Sequence, residues 1–133
     1  MIIGIGNDLV DIRRIEKVLK RHGTRFEERC FTCSERARAD IRRGAGLHGP
    51  VFAKRFAAKE ACAKALGTGF SGEVYPRDIG VIEDESGRPF LELTGGALEH
   101  LKSLIPEGKR PVLHLSLSEE PPFAQAFVII EAL

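Results

Sequence analysis

The main period of the hydrophobic pattern in this chain changes near residues 69–72, and this change limits the folds that the chain can adopt. Before it, apolar residues recur mostly at helical spacing, and after it they alternate or form short runs, as in strands. One short apolar run, residues 1–6, has glycines at alternate positions and predicts a buried strand before the helices. The order of one strand, several helices, a hairpin, a helix and a final hairpin predicts an α+β fold, with a mostly antiparallel sheet packed against helices.

The boundaries of the predicted elements follow from caps, glycines and prolines. Two capping boxes, Thr24 with Glu27 and Thr32 with Glu35, predict two short helices. The segment 44–50 is predicted to be a loop. The other predicted helices span residues 11–21, 51–66 and 97–105, and the other predicted strands span residues 79–83, 90–93, 112–118 and 123–132.

Length, composition and charge exclude several classes of protein. The 133 residues, 43% of them hydrophobic, fit a single globular domain spanning residues 1–133 rather than a disordered chain. A formal net charge of +1 argues against a nucleic-acid-binding domain. No signal peptide opens the sequence and no segment reaches membrane-spanning length, so a cytoplasmic protein is expected. Cys30 and Cys33 form a CxxC pair without a second ligand pair, and reduced thiols are expected rather than a zinc site.

The charge is unevenly distributed along the chain. Basic residues are dense between residues 13 and 43, whereas carboxylates gather later, at residues 83–85 and 119–120. A nearly neutral protein with one basic region is expected to bind a specific acidic partner rather than polyanions in general.

Two carboxylates are candidates for metal binding. Asp8 follows Gly4 and Gly6, which leave room for a ligand or an ion, but it could instead be the N-cap of the next helix. Glu60 lies on the long predicted helix, four residues before Lys64, and it could simply form a surface salt bridge with that lysine. Local sequence leaves both pairs of alternatives open.

The same helix carries three cations, Arg55, Lys59 and Lys64, and ends at Gly67 followed by Thr68. Cations and exposed backbone amides together suit a phosphate group. A hard divalent ion held by a carboxylate would suit the same region, because such ions prefer oxygen ligands.

A second polar group lies on the predicted strand 112–118. His114, Ser116 and Ser118 alternate along it and therefore share one of its faces. They could bind a phosphate or a ribose, or they could form the polar solvent face of an antiparallel strand. A serine hydrolase is not indicated, because the chain has no GxSxG elbow.

Three sequence blocks carry a family resemblance. Residues 4–15 contain the Gly-Asn-Asp of the first strand, residues 55–61 read Arg-Phe-Ala-Ala-Lys-Glu-Ala, with Lys-Ala-Leu-Gly-Thr-Gly following at residues 64–69, and residues 114–118 read His-Leu-Ser-Leu-Ser. In these blocks, in their order and in their spacing, the chain resembles the holo-[acyl-carrier-protein] synthase family, the small 4'-phosphopantetheinyl transferases. The resemblance covers nearly the whole chain.

This resemblance implies the 4'-phosphopantetheinyl transferase fold and the transfer of 4'-phosphopantetheine from coenzyme A to a serine of an apo acyl carrier protein, with release of 3',5'-ADP. Asp8 and Glu60 are the implied ligands of Mg²⁺, and together with Lys64 they are the implied catalytic residues. Glu60 is also a candidate to accept the serine proton through a magnesium-bound water. The residues implied to bind coenzyme A are Arg55, which could instead brace the helix, Lys64, Gly67, His114 and Ser116.

The resemblance also implies partners. Carrier proteins of this kind are acidic, and Arg14 and Arg25 match the family's docking arginines, while Arg13 and Arg21 add to the basic field. A homotrimer with active sites at subunit borders is implied, as is a role in fatty-acid biosynthesis and lipid metabolism. The residues do not identify the carrier protein, which could serve polyketide synthesis or another pathway.

Two alternative functions use the same residues. A module could bind coenzyme A or a carrier protein without transferring anything, or a phosphohydrolase could cleave coenzyme A. The basic helix argues against the hydrolase, which needs no acidic protein partner, and the Asp8 and Glu60 pair argues against a module that only binds.

Overall fold

The structure, a computed structural model, describes residues 1–133 and places its helices against an antiparallel sheet. In chain order, its elements are β1 (Ile2–Asp11), α1 (Ile12–His22), α2 (Thr24–Cys30), α3 (Cys33–Asp40), α4 (His48–Ala65), β2 (Ile79–Glu83), β3 (Pro89–Leu93), α5 (Gly95–Leu104), β4 (Pro111–Glu120) and β5 (Phe123–Ala132). Two 3₁₀ turns, Arg43–Ala45 and Pro76–Asp78, precede α4 and β2. The helices include none whose length and polarity would let it cross a membrane.

The main sheet has three strands in the order β1-β5-β4, and both pairings are antiparallel. β2 and β3 form a separate antiparallel hairpin. The predicted α+β fold, with a mostly antiparallel sheet packed against helices, is therefore confirmed. The last strand has the bounds that its sequence pattern predicts, Phe123–Ala132.

The helix α4 covers the inner face of the main sheet. Alternate residues of β5 are buried on this face, and they belong to the same core as the alanines of α4. Small side chains on both elements let the helix lie close to the strands. The main members of this contact are Ala124, Ala126, Val128, Ile130, Ala57, Ala58 and Ala61.

β1 approaches α4 most closely at its glycines. A Cβ atom added to Gly4 would collide with the carbonyl oxygen of Ala65, and one added to Gly6 would collide with the carbonyl oxygen of Ala61. The space beside these glycines is therefore filled by the backbone of α4, and the room predicted for a ligand around Asp8 stays a prediction. The strand also continues to Asp11 instead of ending at residue 6.

The predicted boundaries of the helices differ from the observed ones by one to three residues, and one predicted capping box does not form. The capping box of Thr32 is confirmed, because its Oγ1 accepts from the backbone N–H of Glu35 at 3.2 Å and its own N–H donates to that carboxylate at 2.8 Å. Thr24 does not form the predicted box, since it is the first residue of α2 and no side chain caps that helix. The predicted loop 44–50 is shorter than expected because α4 begins at His48.

Lys59 of α4 is buried and forms hydrogen bonds to α3 and to the chain at the start of β2. Its ammonium donates to Oε1 of Glu35 at 2.7 Å and to the carbonyl oxygens of Pro76 and Ile79 at 3.0 and 2.7 Å. Glu35 also accepts from the backbone N–H of Val81 at 2.9 Å. Burial lowers the pKa of Lys59, whereas the Glu35 carboxylate raises it, and the use of all three N–H donors favours the charged form. The predicted part of Lys59 in phosphate binding is wrong, because both side chains of the pair are fully buried.

Candidate active site

The candidate site lies where β1 meets the last turns of α4. Asp8 lies on the inner face of the sheet, opposite Ala126 of β5, and its side chain is 15% exposed. Nζ of Lys64 donates to Oδ1 of Asp8 at 3.0 Å and to the carbonyl oxygen of Asn7, also at 3.0 Å. The close packing of Gly6 on α4 brings these side chains together, because Asp8 is the next residue of β1 on that face.

Glu60 shares this environment. Burial raises the pKa of Glu60, the neighbouring Asp8 carboxylate raises it further, and Lys64 and Arg14 oppose both effects. Two carboxylates therefore face one half-buried region. The alternative interpretations, Asp8 as a helix cap and Glu60 as the salt-bridge partner of Lys64, are wrong. Asp11, not Asp8, caps α1 by accepting from the N–H of Arg13, and Lys64 pairs with Asp8 rather than with Glu60.

The donor set fits a magnesium ion that is shared with a substrate. No group of three or more histidine, cysteine or acidic side chains could hold a metal ion alone. Asp8 and Glu60 supply two hard oxygen donors, and Mg²⁺ is usually held by one or two carboxylates, with waters and substrate phosphates completing its shell. A cation between these two carboxylates would also relieve the repulsion that raises the pKa of Glu60.

The chain turns sharply after α4, beside Lys64. Gly67 and Gly69 have φ angles of 81° and 58°, which other residues rarely adopt. Gly67, predicted to bind coenzyme A, is exposed here. His100 of α5 was not predicted: its Nε2 lies 3.0 Å from the carbonyl oxygen of Leu66, the last residue before this turn. A carbonyl oxygen only accepts, so Nε2 carries the proton. A single histidine on an amphipathic helix gives no sequence signal for this contact.

Arg55 lies nearer the N-terminus of α4 than Glu60 does, and it is buried. Its Nη2 donates to Oε1 of Glu83 at 2.8 Å, so it braces α4 against β2, and its buried Nε has no partner. Arg55 also lines a cavity of about 240 Å³, which the sequence analysis missed. The charged residues around this cavity are Arg38, Arg42, Lys54, Arg55, Glu83 and Glu119.

The cavity carries more positive than negative charge. Glu83 accepts from both Arg38 and Arg55 at 2.8 Å, and Glu119 lies 3.3 Å from Lys54. Arg42 has no carboxylate within 4.0 Å. A phosphate dianion would balance the excess of cations in this cavity.

The histidine strand faces away from Asp8. His114 and Ser116 are exposed on the outer face of the sheet, opposite Ile129 and Phe127 of β5, whereas Asp8 lies on the inner face. Nε2 of His114 lies 3.0 Å from Oε1 of Glu131. Within one chain, therefore, His114 and Ser116 do not lie beside the carboxylates of Asp8 and Glu60.

The predicted docking arginines lie on α1 and α2 and are exposed. Arg14, Arg21 and Arg25 have no carboxylate within 4.0 Å. Arg13 differs, because its guanidinium makes two hydrogen bonds to Asp11, at 3.0 and 2.8 Å. This pair lowers the pKa of Asp11, chiefly through the side-chain hydrogen bond from Arg13.

Comparisons with known proteins agree with this architecture. A family model described as the 4'-phosphopantetheinyl transferase superfamily matches residues 4–117. The holo-[acyl-carrier-protein] synthase of Chelativorans sp. (strain BNC1) is 57% identical over 133 residues, which cover 100% of this chain and 98% of that protein.

Two solved structures are also similar. The holo-[acyl-carrier-protein] synthase from Neisseria meningitidis has a TM-score of 0.82 at 39% identity, covering 98% of this chain and 99% of that one. The synthase from Bacillus anthracis, solved in complex with CoA (3',5'-ADP), has a TM-score of 0.79 at 38% identity, covering 100% and 99%.

Proposed function

The chain belongs to the 4'-phosphopantetheinyl transferase superfamily, and from that premise we propose that it transfers the 4'-phosphopantetheine arm of coenzyme A to a serine of an apo acyl carrier protein. The observation that carries the proposal is the meeting of Asp8, Glu60 and Lys64 at the contact of β1 and α4. The synthase from Bacillus anthracis, at 38% identity, was solved with CoA (3',5'-ADP), which supports coenzyme A as the donor.

The phosphates of coenzyme A match the charges at two places. The pyrophosphate would lie beside Lys64 and the turn at Gly67, where one exposed ammonium and a flexible glycine backbone are available. The 3'-phosphate would lie in the basic cavity lined by Arg55, whose buried Nε has no protein partner. Arg55 would therefore both brace α4 and bind the nucleotide.

The reaction is a displacement at phosphorus. The serine hydroxyl oxygen of the carrier protein forms a bond to the β-phosphorus of coenzyme A, and the bond from that phosphorus to the bridging oxygen breaks, so that 3',5'-ADP leaves. Asp8 and Glu60 would hold Mg²⁺, which supplies positive charge for the phosphate oxygens. Glu60 would accept the serine proton as the general base. Lys64 would leave Asp8 for the phosphates as a point charge.

We further propose that the protein forms a homotrimer with shared sites. The outer face of the main sheet exposes large apolar side chains, including Ile5, Leu9 and Phe127, next to His114 and Ser116. A monomer rarely leaves such a patch in water. If the outer face of one copy packs against another copy, His114 and Ser116 reach a neighbour's site, although they face away from Asp8 of their own chain.

Subunit mixing tests this sharing. An Asp8→Asn protein and a His114→Ala protein should each be nearly inactive, and mixed trimers should regain activity because some sites combine an intact residue from each chain. Light scattering should give the mass of three chains. A mass of one chain, or no recovery on mixing, would refute the shared site.

The proposal includes carrier docking by Arg14, Arg21 and Arg25 on α1 and α2. Arg13 contributes less, because it is already paired with Asp11. A cytoplasmic location and a role in fatty-acid biosynthesis stay predictions of the sequence.

Intact-mass spectrometry of an apo acyl carrier protein tests the proposed function. Incubation with this protein, coenzyme A and Mg²⁺ should add one phosphopantetheine, release 3',5'-ADP and be abolished by a chelator. Cleavage of coenzyme A without a gain in carrier mass would favour a phosphohydrolase. No reaction of either kind, with carriers of several pathways, would favour a binding module.

A further inference from the structure

A buried group of polar contacts joins the three elements α3, α4 and β2. Glu35 of α3 accepts from Nζ of Lys59 of α4 at 2.7 Å and from the backbone N–H of Val81 of β2 at 2.9 Å. Nζ of Lys59 also donates to two carbonyl oxygens, so its three N–H donors are all used. We call Glu35, Lys59 and Val81 the inner layer. Its two charges cancel, both side chains are fully buried, and it has no donor left for a ligand.

A second group of contacts joins the same three elements nearer the surface. Glu83 of β2 accepts from Arg38 of α3 and from Arg55 of α4, in both cases at 2.8 Å. We call these three residues the outer layer. All three line the cavity of about 240 Å³, and together they carry one more positive than negative charge. The buried Nε of Arg55 has no protein partner, so this layer, unlike the inner one, has a donor left for an anion.

The two layers lie one step apart along each of the three elements. On α4, the arginine of the outer layer precedes the lysine of the inner layer by four residues, a rise of about 6 Å. On α3, the arginine follows the glutamate by three residues, or about 4.5 Å. On β2, Glu83 follows Val81 by two residues, or about 7 Å. Because the inner layer fastens the three elements to one another, it also sets the distance at which the outer residues meet.

The outer layer does not fix its own geometry when an anion binds. The side chain of Arg38 is 55% exposed and that of Glu83 is 24% exposed, and ion pairs this open to water are weak. A phosphate in the cavity would also compete with Glu83 for the same guanidinium groups. The contacts of the inner layer are out of reach of solvent and of the ligand, so they persist when the cavity fills.

We propose that Glu35 and Lys59 are positioning residues for the 3'-phosphate of coenzyme A. They touch no ligand, and they hold α3, α4 and β2 at the separation that lets Arg38 and Arg55 bind one phosphate together. This inference rests on the proposed function, which puts the 3'-phosphate in the cavity lined by Arg55. Loss of the inner layer should therefore weaken the binding of coenzyme A and spare a donor without that phosphate.

The test compares the KM for coenzyme A with the KM for 3'-dephospho-coenzyme A. Glu35→Gln combined with Lys59→Met removes both charges, so neither is left buried alone, and the glutamine oxygen can still accept from the N–H of Val81. Leu101→Ala is the control. Leu101 is buried in α5, outside both layers, so its truncation lowers stability without moving the outer layer. The assays are run where circular dichroism shows the variants folded.

The double variant should raise the KM for coenzyme A about tenfold, the loss expected for one charge-assisted hydrogen bond, and change the KM for the dephosphorylated donor less than about threefold. Glu35→Gln alone should shift the ratio of the two values in the same direction by a smaller factor. Leu101→Ala should leave the ratio unchanged, because a smaller folded fraction lowers the rate with both donors equally. An unchanged ratio in the double variant would overturn the inference.

Arg42→Gln separates this inference from the proposed function. Arg42 lines the cavity and has no carboxylate within 4.0 Å, so its loss should raise the same ratio. If Arg42→Gln raises the ratio and the double variant does not, the proposed place of the phosphate stands and the positioning role is wrong. If neither raises it, the 3'-phosphate does not lie in this cavity and the inference fails with that assignment. If the unaltered protein transfers nothing from either donor, the proposed function itself is refuted.

Discussion

The contact of Gly6 with α4 offers the sharpest link between packing and activity. In Gly6→Ala, the new Cβ would lie 2.7 Å from the carbonyl carbon of Ala61 and 2.9 Å from the amide nitrogen of Ala65, in addition to its collision with the carbonyl oxygen of Ala61. Ordinary contacts of this kind begin at 3.4 Å. All three neighbouring atoms are backbone, so none can turn away, and β1 and α4 must separate.

This separation of β1 from α4 should lower both the stability of the protein and its activity. Overpacking in a core of this kind costs about 1–3 kcal/mol, which for a chain of this length lowers Tm by roughly 3–12 °C. The same movement draws Asp8 away from Glu60 and Lys64. A misplacement of about 1 Å at reacting groups costs on the order of 100-fold in rate. Gly6→Ala should therefore lose activity out of proportion to its loss of stability.

Thermal unfolding followed by circular dichroism and transfer followed by intact-mass spectrometry measure the two effects. Gly44→Ala is the matched control, because nothing lies within 4 Å of a Cβ at that position and its φ is not positive. The control should keep its activity, and its Tm should be unchanged or slightly higher. A Gly6→Ala protein as stable and as active as the control would refute the argument.

Three further predictions concern groups away from the reacting atoms. Lys59→Met should cost about 3–5 kcal/mol of unfolding free energy, because it leaves the buried Glu35 carboxylate without its charge partner; a loss below 1 kcal/mol in denaturant titration would contradict this. Thiol reagents should modify the exposed Cys33 first and Cys62 only on unfolding, because Cys62 is buried and burial raises its pKa from 9.0 to about 12. Above pH 9.0 the unfolded chain releases a proton that the folded chain keeps, so this thiol makes the stability fall between pH 9.0 and about 12. Replacement of Cys62 by alanine should remove that part of the pH dependence of stability. His100→Leu should raise the KM for coenzyme A several-fold while His100→Gln, which can still donate to the carbonyl of Leu66, restores it; equal values for both variants would mean that the hydrogen bond has no role.

The sequence predicted well those features that depend on neighbouring residues. Alternating hydrophobicity and a double proline predicted the final hairpin, and β5 has the predicted bounds. The capping box of Thr32 is also local, and it forms. The box of Thr24 does not, because Gly23, with φ of 50°, ends α1 and passes directly into α2.

Features that depend on distant residues were less predictable. The absence of side chains at Gly4 and Gly6 indicates a close approach but does not say what approaches, and here it is a helix rather than a ligand. Lys59 has the sequence context of a phosphate-binding lysine, but its partner Glu35 lies 24 residues earlier and both are buried. The face on which His114 lies relative to Asp8 depends on the register of β4 and β5, which no local pattern fixes.

The candidate site was predicted in part. The resemblance named Asp8, Glu60 and Lys64, and the structure brings these three together. Their roles, and those of Gly67, His114 and Ser116, stay predictions. The basic cavity beside Arg55 was missed, because Arg38 of α3, Arg42 of the turn that follows and Lys54 of α4 are brought together only in the folded chain.

The measurement that tests the central claim most directly is the comparison of transfer and binding in Glu60→Gln. We expect transfer of phosphopantetheine to the carrier protein to fall by on the order of 100-fold or more, while calorimetry gives an affinity for coenzyme A within a few-fold of the unaltered protein's. That result would place Glu60 in the chemical step. Equal losses of transfer and of binding would make it only a ligand for the metal and the substrate, and unchanged transfer would contradict the site proposed at the contact of β1 and α4.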